Sequence, residues 1–339
     1  MSLCRGCDLH YFVAIASFYE KLENSYKFLR DHGVLPDVVH CPKCQRECTF
    51  REEQKIWRCT GSYKVPKQKK RRYCSFNTSD SKGSFLQDVN IPAWKVIIFV
   101  NHLLSCHWDH LTVITGLQIS SRTSVDWRSF CSEVTDFWFT EQESIGGPGV
   151  VVEIDETLIV RRKYERGRVL SQVWLFGVIE RRTKKRFVLP LVGPLGEAGR
   201  RDKGTLLPLI EKYIRRGSVI ISDQWGAYNS ITDLGYTHYT INHSENVVDP
   251  VHGDIHTQHI ERLWRDVKEW VKRPGIRSQF LYQYLARYLF VKAYNENALL
   301  HHFFVQAARL YPPQGANHRE PEPVPRIDDT SDEEGLDDE

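Results

Sequence analysis

The spacing of hydrophobic residues divides the chain at the Gly-Gly-Pro-Gly segment of residues 146–149, which is the clearest predicted domain boundary. On its N-terminal side, apolar residues recur at helical spacing and predict helices over residues 17–31, 93–104, 110–117 and 121–138. The last three, with a tight turn before the final one, are typical of a helix-turn-helix, although many helical bundles share this pattern. Residues 41–85 show no helical period and predict short strands and turns.

The C-terminal side of this boundary predicts a mixed α/β sheet with helices around it. Runs of β-branched and aromatic residues predict strands over residues 150–154, 173–179, 186–192, 218–221 and 236–241. Helical spacing predicts helices over residues 205–214, 227–234, 260–271 and 279–295. The sequence therefore predicts one domain of the size of a catalytic domain.

Composition and charge indicate a soluble, non-secreted protein with a polyanionic partner. The 339 residues are 41% hydrophobic, which is enough to form buried cores in about two domains. The longest apolar stretch, residues 97–104, is far shorter than the roughly 20 residues of a membrane helix, and the N-terminal residues lack a signal-peptide pattern. The net charge is +3, but residues 320–339 carry −9, so residues 1–319 carry +12. A basic body with an acidic tail favours a polyanion, although a soluble protein with a polar tail would look similar.

Cysteine spacing predicts a structural zinc site. Cys41 and Cys44 form a Cys-Pro-Lys-Cys knuckle, and tetrahedral zinc requires a second pair of ligands. Cys59 and Cys74 are the best candidates for that pair, although fourteen residues separate them, and Cys48 could replace one of them. The alternative is that these are incidental buried thiols. Zinc is the favoured interpretation, because nine cysteines in a chain without a secretory signal favour reduced thiols.

Two further features adjoin this predicted zinc site. Cys4 and Cys7 form a second knuckle that has no partner pair, with His10 as its nearest additional ligand. The insert between Cys59 and Cys74 is basic and suits DNA phosphates or a nuclear-import signal, although it could be a solvated loop. Its basic residues are Lys64, Lys67, Lys69, Lys70, Arg71 and Arg72.

Three acids in the second half of the chain are candidates for a divalent cation site. Asp155 and Asp223 lie beside apolar strands, and Glu261 opens a predicted helix. Adjacent strands would bring the two aspartates together, and oxygen-only ligands suit Mg²⁺ or Mn²⁺. Taken singly, each acid has an ordinary alternative: Asp155 as a strand-end acid, Asp223 as a helix N-cap and Glu261 as a first-turn acid. Together with the basic body and the zinc knuckle, they indicate a phosphodiester-cutting site.

Histidines and tryptophans near these acids leave alternatives open. Four histidines precede or flank Glu261 and could suggest zinc, but a phosphate contact or a supporting role for His256 is the favoured interpretation. Trp225 and Trp264 could stack on a flipped base, whereas an aromatic core is the more common role. The four histidines are His243, His252, His256 and His259.

The second half of the chain resembles the DDE transposases of the Merlin type and their bacterial insertion-sequence relatives, whose catalytic core is RNase H-like. The resemblance also covers the Cys-Pro-x-Cys ribbon, the Gly83-Ser84-Phe85 stretch and the helix pair behind it, so it extends over roughly residues 25–300. It departs from the family in the long gap between Cys59 and Cys74 and in Gln258. The matching phrases are residues 152–156, residues 217–228, Asn242-His243-Ser244, His256-Thr257, Glu261-Arg262-Leu263-Trp264 and Lys268.

The resemblance implies a function for each matching residue. Asp155, Asp223 and Glu261 would be a catalytic triad that binds Mg²⁺ or Mn²⁺ in a two-metal site, and Lys268 would touch DNA. The implied protein is a cut-and-paste transposase that binds terminal inverted repeats, cuts DNA strands and transfers them. The alternatives are a domesticated, catalytically silent DNA-binding protein and a site-specific nuclease.

The predicted fold class is α/β, with an RNase H-like mixed-sheet catalytic domain preceded by a zinc ribbon and a small helix-turn-helix-like domain. The predicted DNA contacts outside the catalytic domain are Lys67, Lys69, Lys70, Arg71, Arg72, Arg122 and Arg128; His256 and Lys268 would add contacts within it.

Expected partners are transposon ends and target DNA, bound by a homo-oligomer, with no membrane or small-molecule substrate. The expected location is the nucleus in a eukaryote, or otherwise the cytoplasm on the chromosome. The predicted segments are residues 1–36 (helical), 37–85 (zinc ribbon with basic insert), 86–145 (helix-turn-helix-like), 146–312 (catalytic) and 313–339 (acidic tail).

Overall fold

The structure is a computed structural model that describes residues 23–64, 71–105, 109–162, 169–191, 199–241, 256–271, 280–294 and 298–313. The described residues form two compact units: the first runs to Trp138 and resumes at Tyr294, and the second is Phe139–Ala293. Within these ranges, no helix is both long and apolar enough to cross a membrane.

The first unit begins with a helix and a set of short strands. Strands β1, β2 and β5 form a three-stranded antiparallel sheet, and β3 pairs with β4 in a separate hairpin. Trp57 on β2 is buried and donates a hydrogen bond from its indole nitrogen to Asp80, 2.8 Å away. The elements are α1 (Glu23–Asp31), β1 (Thr49–Arg51), β2 (Ile56–Arg58), β3 (Ser62–Lys64), β4 (Arg71–Tyr73) and β5 (Asn77–Ser79).

Four further helices belong wholly or mainly to the first unit. The turn between α3 and α4 is three residues long because Gln118 ends α3 in a left-handed conformation and Ser120 caps α4 through the backbone nitrogen of Thr123, 3.0 Å away. This is the tight turn that the sequence predicts for a helix-turn-helix. The helices are α2 (Ala93–Leu104), α3 (His110–Leu117), α4 (Ser121–Thr140) and, near the C-terminus, α8 (Leu299–Leu310).

A five-stranded mixed sheet forms the centre of the second unit. Its order is β12-β11-β7-β8-β9, with β7 parallel to β11, β11 parallel to β12, and the β7-β8-β9 meander antiparallel. This confirms the predicted mixed α/β class. The strands are β7 (Val151–Arg162), β8 (Val169–Glu180), β9 (Arg186–Pro190), β11 (Val219–Asp223) and β12 (Thr237–Ile241), with a small pair formed by β6 (Ile145–Gly146) and β10 (Ile214–Arg215).

Three helices complete the second unit. Helix α6 packs on β7 and β8, and α7 packs on β9, so α6 approaches the middle of the sheet. One face of β7 buries Val152 and Ile154, whereas Glu153 and Asp155 lie on the opposite face because side chains alternate along a strand. The helices are α5 (Lys203–Tyr213), α6 (Gln258–Val271) and α7 (Leu281–Ala293).

The helix predicted over residues 227–234 is wrong. The segment contains two one-turn 3₁₀ helices, Gly226–Tyr228 and Thr232–Leu234, and Gly235 ends the second with φ of 85°. Tyr228 and Ile231 are three residues apart, and both are buried. Residues three apart lie on the same side in 3₁₀ turns and also in an α-helix, so the two structures give the same hydrophobic spacing. The spacing therefore predicted the buried side but not the type of helix.

Two segments differ in extent from the sequence analysis. Strand β7 continues to Arg162, so Asp155 lies inside the strand and not after its end. Helix α8 groups with the first unit, whereas the sequence analysis included its residues in the segment 146–312. The short strand β6 begins the second unit's sheet pairing at Ile145, next to the predicted boundary.

Candidate active site and cysteine cluster

The parallel pairing of β7 with β11 brings two of the predicted acids side by side. The last pair in this ladder is Glu153 with Ile221. Asp155 and Asp223 each lie two residues beyond that pair on strands about 4.8 Å apart, so the shared register places them at the same level. The negative charge of Asp223 acts on Asp155.

Asp155 is the more enclosed of these two acids. Burial raises the pKa of its carboxyl to about 7, and the charges of Glu156 and Asp223 act in the same direction. The indole nitrogen of Trp264 donates a hydrogen bond to Asp155 Oδ2 at 2.9 Å, which only partly offsets these effects. A carboxyl that is crowded by other acids and still lacks a full positive partner is suited to a cation.

Asp223 lies at the end of β11, where its side chain is 31% exposed. Its Oδ1 accepts a hydrogen bond from the backbone nitrogen of Trp225 at 3.1 Å. Its Oδ2 lies 3.9 Å from the guanidinium of Arg201, which bonds Glu156 at 2.8 Å. Arg201 is an acid-facing residue that the sequence analysis missed, and no spacing rule pointed to it.

Aromatic rings hold Arg201 in place. Its guanidinium lies over the rings of Trp174 and Trp225, 4.5 and 4.6 Å from their centroids.

The two tryptophans predicted near the acids differ in burial. Trp225 is 41% exposed and is not a core residue, whereas Trp264 is 5% exposed and belongs to the core.

Glu261 is in the first turn of α6, one turn before Trp264. It accepts a hydrogen bond from the hydroxyl of Thr257 at 3.2 Å and is exposed. Residues three apart on a helix lie on neighbouring positions of one face, so the helix that contacts Asp155 also carries Glu261. Lys268, seven residues after Glu261, is exposed on the same helix.

Two groups of possible metal ligands have all their donor atoms within 4.8 Å of one another among the described residues, and the three acids are not one of these groups. One of the two groups consists of Glu153, His256 and His259. His256, predicted as a phosphate contact, therefore lies beside a buried carboxylate.

The second group is formed by Cys41, Cys44, Cys59 and Cys74. The knuckle is a tight turn in which Cys41 N donates to Arg46 O at 2.8 Å. Cys59 N bonds Phe76 O at 3.0 Å and Cys74 N bonds Gly61 O at 2.8 Å, so these two cysteines lie at the base of the β3–β4 hairpin. Of the fourteen intervening residues, the structure describes 60–64 and 71–73, and their paired strands β3 and β4 lie next to the cluster.

The sulfur atoms are close-packed, and the pKa of one thiol is lowered, whereas burial raises the pKa of Cys59 and Cys74. Cys44 Sγ is 3.5 Å from Cys59 Sγ, and a Cβ at Gly61 would lie 3.0 Å from Cys44 Sγ, so only glycine fits there without displacement. Burial acts to raise the pKa of Cys41, but hydrogen bonds from the backbone of Cys44 and Lys43 outweigh it and lower the pKa to about 7. Four thiols in this arrangement suit tetrahedral zinc.

The predicted DNA contacts are only partly described. Arg71 and Arg72 are exposed on β4, Arg122 is exposed near the start of α4, and Arg128 is half-buried. The other predicted DNA contacts of the first unit, Lys67, Lys69 and Lys70, lie outside the described residues. The acidic tail and the candidate metal ligands Cys4, Cys7, His10, His243 and His252 also lie outside them.

Comparison with known proteins bears mainly on the second unit. Residues 146–297 match the ISXO2-like transposase domain, which supports a transposase of the insertion-sequence type. The mixed sheet found in these residues fits an RNase H-like fold. No curated protein sequence matches the chain.

Solved structures give weak overlaps. The catalytic core domain of HTLV-2 integrase in complex with magnesium (trimeric form) is 13% identical, with 41% of this chain and 83% of that chain covered and a TM-score of 0.26. The Drosophila P element transposase in its strand transfer complex is 16% identical, with coverages of 60% and 57% and a TM-score of 0.25. Both TM-scores are low, so neither likeness bears on the function of this chain.

Asp155 makes the stability of the metal-free protein depend on pH. Its folded pKa of about 7 exceeds the ordinary 3.8, so the unfolded chain loses this proton first and stability falls as pH rises between these values. Asp155→Asn should therefore raise the free energy of unfolding near pH 8 by about 2–4 kcal/mol, with little change near pH 4. The size follows from about 1.4 kcal/mol for each pKa unit, reduced because the side chain is partly exposed.

Urea unfolding in EDTA at both pH values measures this difference. Asp233→Asn, at an exposed turn, is the control and should leave stability unchanged. An Asp155→Asn protein that is less stable than wild type near pH 8 would contradict the prediction.

Proposed function

We propose that this protein is a cut-and-paste DNA transposase of the Merlin type, with Asp155, Asp223 and Glu261 as its catalytic acids. The observation that carries the proposal is the β7–β11 register, which puts Asp155 level with Asp223 beside the helix that bears Glu261. The match of residues 146–297 to a transposase domain supports the reaction class.

The three acids suit a pair of Mg²⁺ or Mn²⁺ ions. All of their donor atoms are carboxylate oxygens, which such hard cations prefer. Burial and, to a smaller extent, the charges of Glu156 and Asp223 raise the pKa of Asp155, and positive charge bound nearby would offset both effects. When bound, these ions supply activation of the attacking hydroxyl and neutralise the leaving oxygen.

The surrounding residues hold these acids in place. The indole of Trp264 fixes one oxygen of Asp155, and Arg201 offsets part of the negative charge near Asp223. Arg201 is itself kept from rotating by Glu156 and two tryptophan rings. Lys268, exposed and seven residues after Glu261, is the candidate contact for a DNA phosphate on the same helix.

The reaction consists of two in-line displacements at phosphorus. Water attacks a phosphodiester at the end of the element, so that the P–O3′ bond breaks and a 3′-hydroxyl and a 5′-phosphate are released. The 3′-hydroxyl then attacks a phosphodiester of target DNA, forms a new P–O bond and displaces a second 3′-hydroxyl. Neither step forms a covalent bond between protein and DNA.

Replacing one acid tests the assignment directly. Asp223→Asn removes a negative ligand while keeping the side-chain volume, so strand cleavage in Mg²⁺ should fall at least a thousandfold and DNA binding should persist. Cleavage assays and gel shifts on DNA carrying the element's ends measure the two properties, with Asp233→Asn as the exposed control.

The same assays separate the proposal from its alternative. Full cleavage by Asp223→Asn would overturn the triad. A wild-type protein that binds the ends and cuts no DNA in Mg²⁺ or Mn²⁺ would favour the catalytically silent DNA-binding protein.

The cysteine cluster is proposed to hold one structural zinc ion. Support comes from the four sulfur atoms that lie within 4.8 Å of one another at the base of a hairpin. The ion would connect the knuckle at Cys41 and Cys44 to the hairpin and stabilise a sheet whose strands are only three residues long.

Cys41→Ser should therefore release the zinc and unfold the ribbon, because a hydroxyl is a poor substitute for a thiolate ligand. Native mass spectrometry should find one ion in wild type and none in the variant. Cys48→Ser is the matched control: Cys48 is buried next to the cluster but is not one of its four members, so this variant should keep the ion. Loss of zinc from the control and not from Cys41→Ser would refute the ligand set.

Recognition of the element's ends is proposed to reside in the first unit. The three-residue turn between α3 and α4 suits a helix-turn-helix, with Arg122 exposed at the start of α4. Arg71 and Arg72 lie on the strand that leads out of the basic insert. Helix α8 belongs to this unit, so a fragment ending at residue 145 would lack a buried helix, and full-length variants are the better test.

Neutralising the basic run Lys69, Lys70, Arg71 and Arg72 should weaken DNA binding and flatten its salt dependence by about 0.9 units of log–log slope per lost phosphate contact. Fluorescence anisotropy at several salt concentrations measures the slope. Arg216→Ala is the control, because Arg216 pairs with Glu211 on the second unit. An unchanged slope in the quadruple variant would exclude this run as a phosphate contact.

A further inference from the structure

Glu153 is a fully buried carboxylate that the proposed chemistry does not use. It lies on β7 two residues before Asp155, and its side chain is 0% exposed. A buried charge is strongly destabilising unless it is paired and hydrogen-bonded, so its partners indicate what it does.

Three groups of the described residues donate hydrogen bonds to the Glu153 carboxylate, and two of them belong to the start of α6. Its Oε2 accepts from the backbone nitrogen of Ile260 at 3.0 Å, and its Oε1 accepts from His259 Nδ1 at 2.9 Å and from Arg181 Nε at 2.7 Å. Arg181 also donates to the backbone oxygen of His256 at 2.6 Å. Glu153 thus does for this helix, from a neighbouring strand, what an N-cap residue does locally.

A second contact fixes the next turn of the helix. Ile260 bonds Glu153, and Trp264 bonds Asp155. Ile260 and Trp264 are about 6 Å apart along the helix, and Glu153 and Asp155 are about 6.7 Å apart along the strand. The two spacings match, so α6 is tied to β7 at two levels, and Glu261 lies between them.

Gly177 makes this close approach possible. It is the partner of Asp155 on β8, and a Cβ at this position would lie 2.6 Å from the Trp264 ring and 3.1 Å from Ile260 Cδ1. Any other residue would push both side chains of α6 away from the strand.

We propose that Glu153 is a positioning residue that sets the distance between Glu261 and Asp155. Arg181 assists it by binding both Glu153 and His256, and Gly177 assists it by leaving room for Trp264. The inference rests on the proposed two-cation site and deepens it, because a displaced helix would carry Glu261 out of reach of ions held by the two aspartates.

A metal ion on Glu153, His256 and His259 is the competing role for this cluster. The Arg181 guanidinium argues against it, since a cation on Oε1 would lie next to an existing positive charge on the same oxygen. Zinc binding by these three residues is one of the outcomes that the experiment distinguishes.

The test compares Glu153→Gln with Glu180→Gln in the full-length protein. Glutamine has one acceptor oxygen, so its NH₂ group must face either Ile260 N–H or Arg181, both of which are donors. One of the hydrogen bonds that hold the start of α6 is therefore lost. Glu180 is the matched control: it is buried on the adjacent strand and accepts from the backbone nitrogen of Gly146 at 2.9 Å, away from α6.

Two measurements report positioning without using catalysis. Amide hydrogen exchange over residues 256–264 should speed up at least tenfold in Glu153→Gln, with residues 281–293 unchanged. Mn²⁺ binding, followed by calorimetry, should weaken about 10–100-fold, as removal of a supporting group does at other metal sites. Glu180→Gln should change neither measurement.

Two reference variants separate the failure of this inference from the failure of the proposed site. If Asp155→Asn and Asp223→Asn abolish Mn²⁺ binding and Glu153→Gln does not weaken it, the positioning role is wrong. If the aspartate variants leave Mn²⁺ binding intact, the two-cation site itself is wrong.

Gly177→Ala covers the case in which Glu153→Gln does not fold. It changes no charge and should weaken Mn²⁺ binding by displacing Trp264, whereas Gly226→Ala, with open space around it, should not. Unchanged Mn²⁺ binding in folded Gly177→Ala would contradict the proposal. A zinc ion bound by the Cys41→Ser protein and lost on adding Glu153→Gln would overturn it in favour of a metal ligand.

Discussion

Three acidic side chains, Glu153, Asp155 and Glu156, lie within four residues on the central strand of the second unit, and the arrangement around them depends on how each charge is compensated. Glu153 has Arg181 and the start of a helix, and Glu156 has Arg201 and the hydroxyl of Tyr228. Asp155 has hydrogen bonds from neutral groups, the indole of Trp264 and the backbone of Glu156, and its burial raises the pKa to about 7 despite them. Of the three, Asp155 has the least positive charge nearby, and it adjoins Asp223.

This division of partners explains why a strand with so many acids can be the centre of a sheet. The two arginine-paired glutamates lie on opposite faces of β7 and connect it to different parts of the unit: Glu153 to α6, and Glu156 to Arg201 before α5 and to Tyr228. Each buried pair therefore also fixes a neighbouring element. Asp155 and Asp223 remain at the level where the parallel ladder stops, which is where a ligand can approach in open α/β sheets.

The cysteine cluster also brings distant parts of the chain together, through thiols and not through charged pairs. Strands of three residues and a small core containing Trp57 bury little apolar surface, so packing alone stabilises this segment only weakly. Strands β3 and β4 pair with each other, so the two ends of the basic insert lie side by side. Cys59 and Cys74 therefore stay close together although fourteen residues separate them.

The sequence by itself determined the helices and strands with strong periodicity, the mixed α/β class and the choice of the three candidate acids. These features depend on local spacing and on residue type, which can be read without coordinates. The tertiary structure alone decided that Asp155 lies within a strand, that Arg201 lies beside Asp223, that Arg181 pairs with Glu153, and that Gly177 admits Trp264. Those facts depend on strand register and on contacts between residues up to 109 positions apart, such as Trp264 with Asp155, and no local pattern encodes which side chains meet at that distance.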